Sequence, residues 1–166
     1  MCIRDRYIRA LDVDEFIERS QPWLQAPHAT WPADGFRPDV YRAMAPLVQE
    51  RVKRLDEVPA MVDFLFLPAA PIEDASWAKA MKGPAAQVLD DVIDAYGSCE
   101  WQAEELKTLV EKVGERHGLN RSKSQAPVRV AITGRTVGPP LYESIELLGR
   151  DETLARLRAA RQRLDA

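Results

Sequence analysis

At 166 residues, 46% apolar, 30% charged and with a net charge of −3, the chain has the make-up of an ordinary folded protein, which excludes a disordered tail and a fibrous repeat. Folding at this length hides roughly 70% of the surface that the unfolded chain exposes, enough for a true core. The longest apolar run, Met61 to Ala70, is interrupted by Asp63 and Pro68. It falls well short of the roughly 20 residues that cross a bilayer, so a transmembrane enzyme or channel is excluded.

The first six residues, Met1-Cys2-Ile3-Arg4-Asp5-Arg6, lack the apolar segment of a secretory signal. They resemble a translated sequencing-adapter scar, so residues 1–6 are set aside as a non-native start, and the natural chain is expected to continue upstream. Asp12 followed by Glu15 reads as a capping box opening a helix, with Phe16, Ile17 and Leu24 as its apolar face. Residues 28–38, rich in Pro, Gly and Trp, read as an irregular connection. Pro38 sits where helices accept proline, and Val40, Met44, Leu47, Val48, Val52 and Leu55 follow at helical spacing, with Arg51 and Arg54 off the stripe. Pro59 opens another helix that buries Met61, Val62, Leu65 and Phe66; Pro68 and Pro71 end it and mark the domain boundary.

In the second half, Val88, Leu89, Val92, Ile93 and Tyr96 form one helical stripe closed by Gly97. Leu106, Leu109, Val110 and Val113 form another, closed near Gly118. A segment from about Pro140 ends at Gly149-Arg150, and Asp151 is expected to cap a last helix carrying Leu154, Leu157 and Leu164. Among all these residues Leu47, Val48, Leu89, Val92, Leu109, Val113, Leu147 and Leu148 are the core candidates. Val128 to Thr133 alternates apolar and polar and by periodicity alone reads as a strand, although no neighbouring segment offers it a partner.

Chemistry-bearing motifs are sparse. The two cysteines, Cys2 and Cys99, give neither a disulfide framework nor a zinc pattern. His28 and His117 read as loop or helix-end residues. Walker, dinucleotide and nucleophile-elbow motifs do not occur. Asp90-Asp91 and Glu104-Glu105 read as solvated helix faces, and Ser122-Lys123-Ser124 as a flexible loop. Charge is unevenly placed: residues 86–120 carry 3 basic and 8 acidic side chains, residues 121–166 carry 9 and 5. Arg supplies 17 of the 23 cations, and a planar guanidinium suits both phosphate and stacked bases.

Residues 126–157 narrow the reading. Pro127, Arg129, Ala131, Thr133 and Gly134, then Pro140, Leu141, Tyr142 and Glu143, then Leu147, Leu148 and Gly149 hold fixed spacings over a short stretch. This pattern closely resembles the C-terminal anticodon-binding region of bacterial glutamyl-tRNA synthetases. Tyr7 to Leu11 with Phe16 and Pro22, the run Arg51 to Pro59, Phe64-Leu65-Phe66 and Glu100-Trp101 extend the resemblance over residues 7–164.

The resemblance implies an all-α fold of two consecutive helical modules, at residues 7–72 and 73–166, the anticodon-binding bundle of a class I aminoacyl-tRNA synthetase. It turns the strand reading of Val128–Thr133 into a helix. It implies tRNA anticodon recognition as the C-terminal part of an enzyme that attaches glutamate to tRNA(Glu) with ATP and Mg. The family's His-Ile-Gly-His and Lys-Met-Ser-Lys-Ser types of nucleotide signature do not occur in this sequence, so the chain is expected to catalyse nothing and to hold no cofactor of its own. Its expected partners are the tRNA(Glu) anticodon stem-loop and an absent N-terminal catalytic half. No membrane partner is expected, and the chain should be a cytoplasmic monomer.

By the same resemblance, Arg51 reads the third anticodon base, and Arg129 makes a second anticodon contact. Gly138, Pro139 and Leu141 present backbone and apolar surface to bases, although Gly138 replaces a commonly polar residue. Arg135 is a candidate phosphate contact, which adds affinity more than specificity. A helical protein–protein module without RNA binding is the competing reading, favoured by the acidic segment 86–120.

Overall fold

The computed structural model describes residues 3–166, with side chains from Arg6 onward; Met1 and Cys2 of the expected non-native start lie outside the described residues. The structure is 71% helical, and the described residues contain no strand. They form two compact units that divide between Pro68 and Ala69, four residues before the expected boundary.

In the first unit, α1 (Ile3–Ala10) is followed by α2 (Val13–Ser20), which begins where the Asp12 carboxylate accepts the Asp14 amide at 2.9 Å. The expected capping box is half made: Glu15 pairs with Arg19 at 2.6 Å, one turn on. Phe16 and Ile17 turn inward, and the buried Ser20 and Tyr41 hydroxyls meet at 2.6 Å. The irregular segment 28–38 lays Trp31 and Phe36 against Phe66. Then α3 (Pro38–Gln49) opens on its proline. The Gln49 side chain donates to the Ile8 and Leu11 carbonyls at 2.8 and 2.9 Å and ties α3 to the link between α1 and α2.

The helical stripe expected through Val52 and Leu55 stops at Gln49. Arg54 is extended (φ −141°, ψ 149°). The Glu57 carboxylate accepts the Lys53 amide at 2.9 Å, an amide that a continued helix would have used internally. Val52 is nonetheless fully buried, so its apolar spacing marks the core and not a helix. A short 3-10 turn, Leu55–Glu57, leads into α4 (Val58–Phe66), with Pro59 in its first turn.

The second unit comprises α5 (Asp74–Ala80), α6 (Ala85–Tyr96), α7 (Ala103–Arg116), α8 (Arg121–Thr133), α9 (Leu141–Leu148) and α10 (Arg150–Asp165). Helix α8 is central, touching α5, α6, α7 and α10. This position explains why its sequence looks like a strand. Val128, Val130, Ala131, Ile132 and Thr133 are all buried, because neighbours cover the helix on several sides. A helix enclosed this way has no amphipathic stripe to read. The apparent alternation came from two polar residues, Arg129 and Thr133.

Ser122-Lys123-Ser124 is no flexible loop. It forms the first turn of α8, where the Asn120 side chain accepts the Lys123 amide at 2.9 Å. Ser124 is 1% exposed because α7 crosses there at Gly114, where a Cβ would stand 2.5 Å from the Ser124 Cβ. Asp151 does not cap α10; it lies inside its first turn, and Gly149 takes the cap position. Of the core candidates, Val48, Leu89, Val92, Val113 and Leu148 are buried, while Leu47, Leu109 and Leu147 are half-buried.

Candidate nucleic-acid interface

The loop between α8 and α9 carries most of the expected contacts, and local geometry fixes its start. Gly134 ends α8 in the left-handed region (φ 79°) and donates to the Val130 carbonyl at 2.9 Å. Its own carbonyl accepts the Glu73 amide at 2.9 Å. The Thr133 hydroxyl donates to the Arg129 carbonyl at 2.8 Å, and the Arg135 amide lies 3.3 Å from the same hydroxyl. The segment ahead of α5 thereby holds the loop against the end of α8.

Arg129, Gly138 and Pro139 come together. Arg129 Nη1 donates to the Pro139 carbonyl at 2.8 Å. A Cβ placed on Gly138 would sit 3.7 Å from that nitrogen, in ordinary contact. A guanidinium has five N–H donors in one plane. Positioning by the loop and contact with a base are compatible roles.

Arg135 and Leu141 are placed otherwise. Arg135 Nε meets Glu73 Oε1 at 3.1 Å, with 23% of its side chain exposed, and so fastens the loop to α5. The Thr136 amide adds a 3.3 Å contact to the Ser76 hydroxyl. Leu141, the first residue of α9, is 3% exposed and belongs to the core. The apolar side chain that this loop presents to solvent is Val137, 77% exposed, which the sequence pattern did not single out. Burial pushes the neighbouring Tyr142 phenol well above its usual range, so it stays neutral and cannot act as an anion here.

Arg51 stands in the first unit, in the turn after α3. It is exposed, and its Nη1 donates to the Leu47 carbonyl one turn back at 3.2 Å. The turn that carries it, closed by the Arg51 and Val52 amides on the Val48 carbonyl, precedes the one closed by Glu57 and Lys53.

The bias toward arginine has a structural meaning that composition did not reveal. In the second unit Arg116 meets Asp91, Arg121 meets Glu111, Arg156 meets Glu152 and the Ile132 carbonyl, and Arg161 meets Asp90 and Asp165. Arg150 donates to the Gly97 and Cys99 carbonyls. These guanidiniums serve as internal ties. His117 ends α7 and meets Asp91 at 2.9 Å, and His28 lies in a loop against Trp23. Asp90 and Asp91 are therefore spent on neighbours and do not form an acid–base pair.

A family model for the anticodon binding domain matches residues 15–161. The chain belongs to the anticodon-binding domain family. It is 60% identical over 160 residues to the glutamate–tRNA ligase of Frankia alni, which covers 96% of this chain and 34% of that protein. It is 50% identical over 163 residues to the glutamate–tRNA ligase of Thermobifida fusca. The chain thus spans about a third of the length of the curated relatives it matches. Among solved structures, a glutamate tRNA ligase from Elizabethkingia meningosepticum in complex with its amino acid aligns with a TM-score of 0.75 at 20% identity, over 97% of this chain and 31% of that one. The glutamate-tRNA synthetase of Elizabethkingia anophelis aligns at 0.71. At that identity the likeness speaks for the helical fold of this anticodon-binding domain.

Proposed function

We propose that this chain is the anticodon-binding part of a glutamate–tRNA ligase and holds the anticodon loop of tRNA(Glu), while the remainder of the ligase joins glutamate to that tRNA with ATP and Mg. The observation that carries the reading is the family match over residues 15–161, joined to 60% identity with a glutamate–tRNA ligase. Single-stranded loops are read by stacking and by hydrogen bonds to base edges. Arg129 beside Gly138 and exposed Arg51 supply donors for such edges, and Val137 supplies an apolar face. In this reading Arg135 and Leu141 shape the loop and do not touch bases.

The chain acts as a monomer in the cytoplasm and performs no chemistry alone. No described helix is long and apolar enough to cross a membrane. The test is direct binding of an RNA stem-loop with a glutamate-type anticodon, against the same stem with a scrambled loop. Preference for the glutamate-type loop is expected, together with no glutamate-dependent ATP–pyrophosphate exchange. Equal binding of both loops, or exchange that follows the protein through purification, overturns the proposal.

A further inference from the structure

Three exposed lysines, Lys79, Lys82 and Lys123, stand near the loop. Two cavities of about 310 Å³ each lie between α5 and α8 and share Lys79, Ala80, Lys123 and Ala126 as walls, so they form one continuous groove. Lys82 lines its far half, and Arg129 and Thr136 line the half toward the α8–α9 loop. No acidic residue lines either half. Lys79, Lys82 and Lys123 are exposed, and none makes an ion pair among the described residues, in contrast to the arginines of the same unit. The groove also contains no aromatic side chain on which a base could stack.

We propose that this groove carries the phosphodiester backbone of the RNA strand next to the bases read at Arg129; this rests on the anticodon-binding reading and adds to it a path for the strand. The physical case is a division of labour. Compact ammonium charges attract phosphate without reading sequence, whereas base edges are read by planar donors. A groove with three unneutralised lysines and no stacking surface suits a backbone. The end where Arg129 and Thr136 stand, next to Gly138 and Val137, suits bases. Sequence alone gave little sign of it: Lys79 and Lys123 are far apart in the chain, and only the packing of α5 on α8 brings them together.

The experiment measures binding of the whole chain to two labelled RNAs over a range of salt: the glutamate-type stem-loop and an oligouridine. Each phosphate contact on a single strand contributes roughly 0.7 to the slope of log affinity against log salt. The triple variant Lys79→Gln/Lys82→Gln/Lys123→Gln should therefore lower that slope by about 2 for both RNAs. The preference between stem-loops differing in one anticodon base should stay unchanged. A double variant on α7, Lys107→Gln/Lys112→Gln, should leave the slope within about 0.5 of the wild type, since neither residue lines the groove. An unaltered slope in the triple variant, or an equal fall in the α7 variant, overturns the groove while leaving anticodon recognition intact. Salt-dependent oligouridine binding with no preference for the glutamate-type loop supports the groove and overturns the anticodon reading. Absence of binding to either RNA at low salt overturns both.

Discussion

Gly134→Ala tests whether the α8–α9 loop is held where the structure puts it. Gly134 has φ 79°, and a Cβ there would lie 2.1 Å from the Pro71 carbonyl oxygen, 2.4 Å from its carbon and 2.8 Å from the Ile72 nitrogen. Two costs add. A side chain in the left-handed region costs about 1–2 kcal/mol by itself. The clash is with backbone, so the segment before α5 must move away, and the 2.9 Å bond from the Glu73 amide to the Gly134 carbonyl is lost. That bond contributes about 0.5–1.5 kcal/mol. The Arg135–Glu73 pair, whose Glu73 side chain is 54% exposed, adds at most about 1 kcal/mol more after solvent screening.

The total is about 2–4 kcal/mol. Gly118→Ala supplies the control, because Gly118 is also left-handed (φ 67°) but a Cβ there meets nothing within 4 Å. It should cost the conformational strain alone, about 1–2 kcal/mol. Thermal melts followed by far-ultraviolet circular dichroism should place Gly134→Ala below Gly118→Ala by roughly 2–4 °C for each kcal/mol of difference. Stem-loop binding should weaken in Gly134→Ala well below its melting temperature, because the moved loop carries Gly138 and Pro139. Equal melting temperatures for the two variants would refute the close approach of Gly134 to Pro71 on which the argument rests.

Three further outcomes follow from the geometry. Arg51→Gln should narrow the preference for a glutamate-type anticodon ending in C over a glutamine-type one ending in G by about 1–3 kcal/mol, since a guanidinium only donates whereas an amide also accepts; an unchanged binding ratio would remove Arg51 from the reading site. Arg129→Ala should weaken stem-loop binding by about 1–3 kcal/mol while the helical circular dichroism signal is retained, and unaltered affinity at low salt would leave Arg129 a purely structural residue. The phenol of Tyr41 is pushed up to about 12 by burial, against a usual 10.0, so its contribution to stability is complete below pH 10 and is lost as pH rises toward 12, where the unfolded chain ionises first. Over that interval Tyr41→Phe should lose on the order of 2–3 kcal/mol less stability in urea unfolding than the wild type, the remaining decline coming from the buried Tyr96 and Tyr142 phenols.

The residues that determine local structure were readable in sequence because their effect is local. Asp12 accepts the amide two residues on, Pro38 and Pro59 open helices, and Gly97 closes one. Each acts through the backbone within one turn, which is the range over which sequence pattern carries information. The resemblance in residues 126–157 added the helical character of α8.

What the tertiary structure decided were the features made by distant segments. Val128–Thr133 looked like a strand because burial on several sides removes the polar face that a helix shows in sequence. Arg135 and Leu141 looked like contacts to RNA, and their exposure depended on Glu73 and on the core beneath α9. The abundance of arginine suggested phosphate binding, but many of those guanidiniums are occupied by partners, several of them on other helices, while Lys79, Lys82 and Lys123 make no ion pair among the described residues. Whether a charge is free is a property of what packs against it, and no spacing rule within one helix encodes the surface of the next.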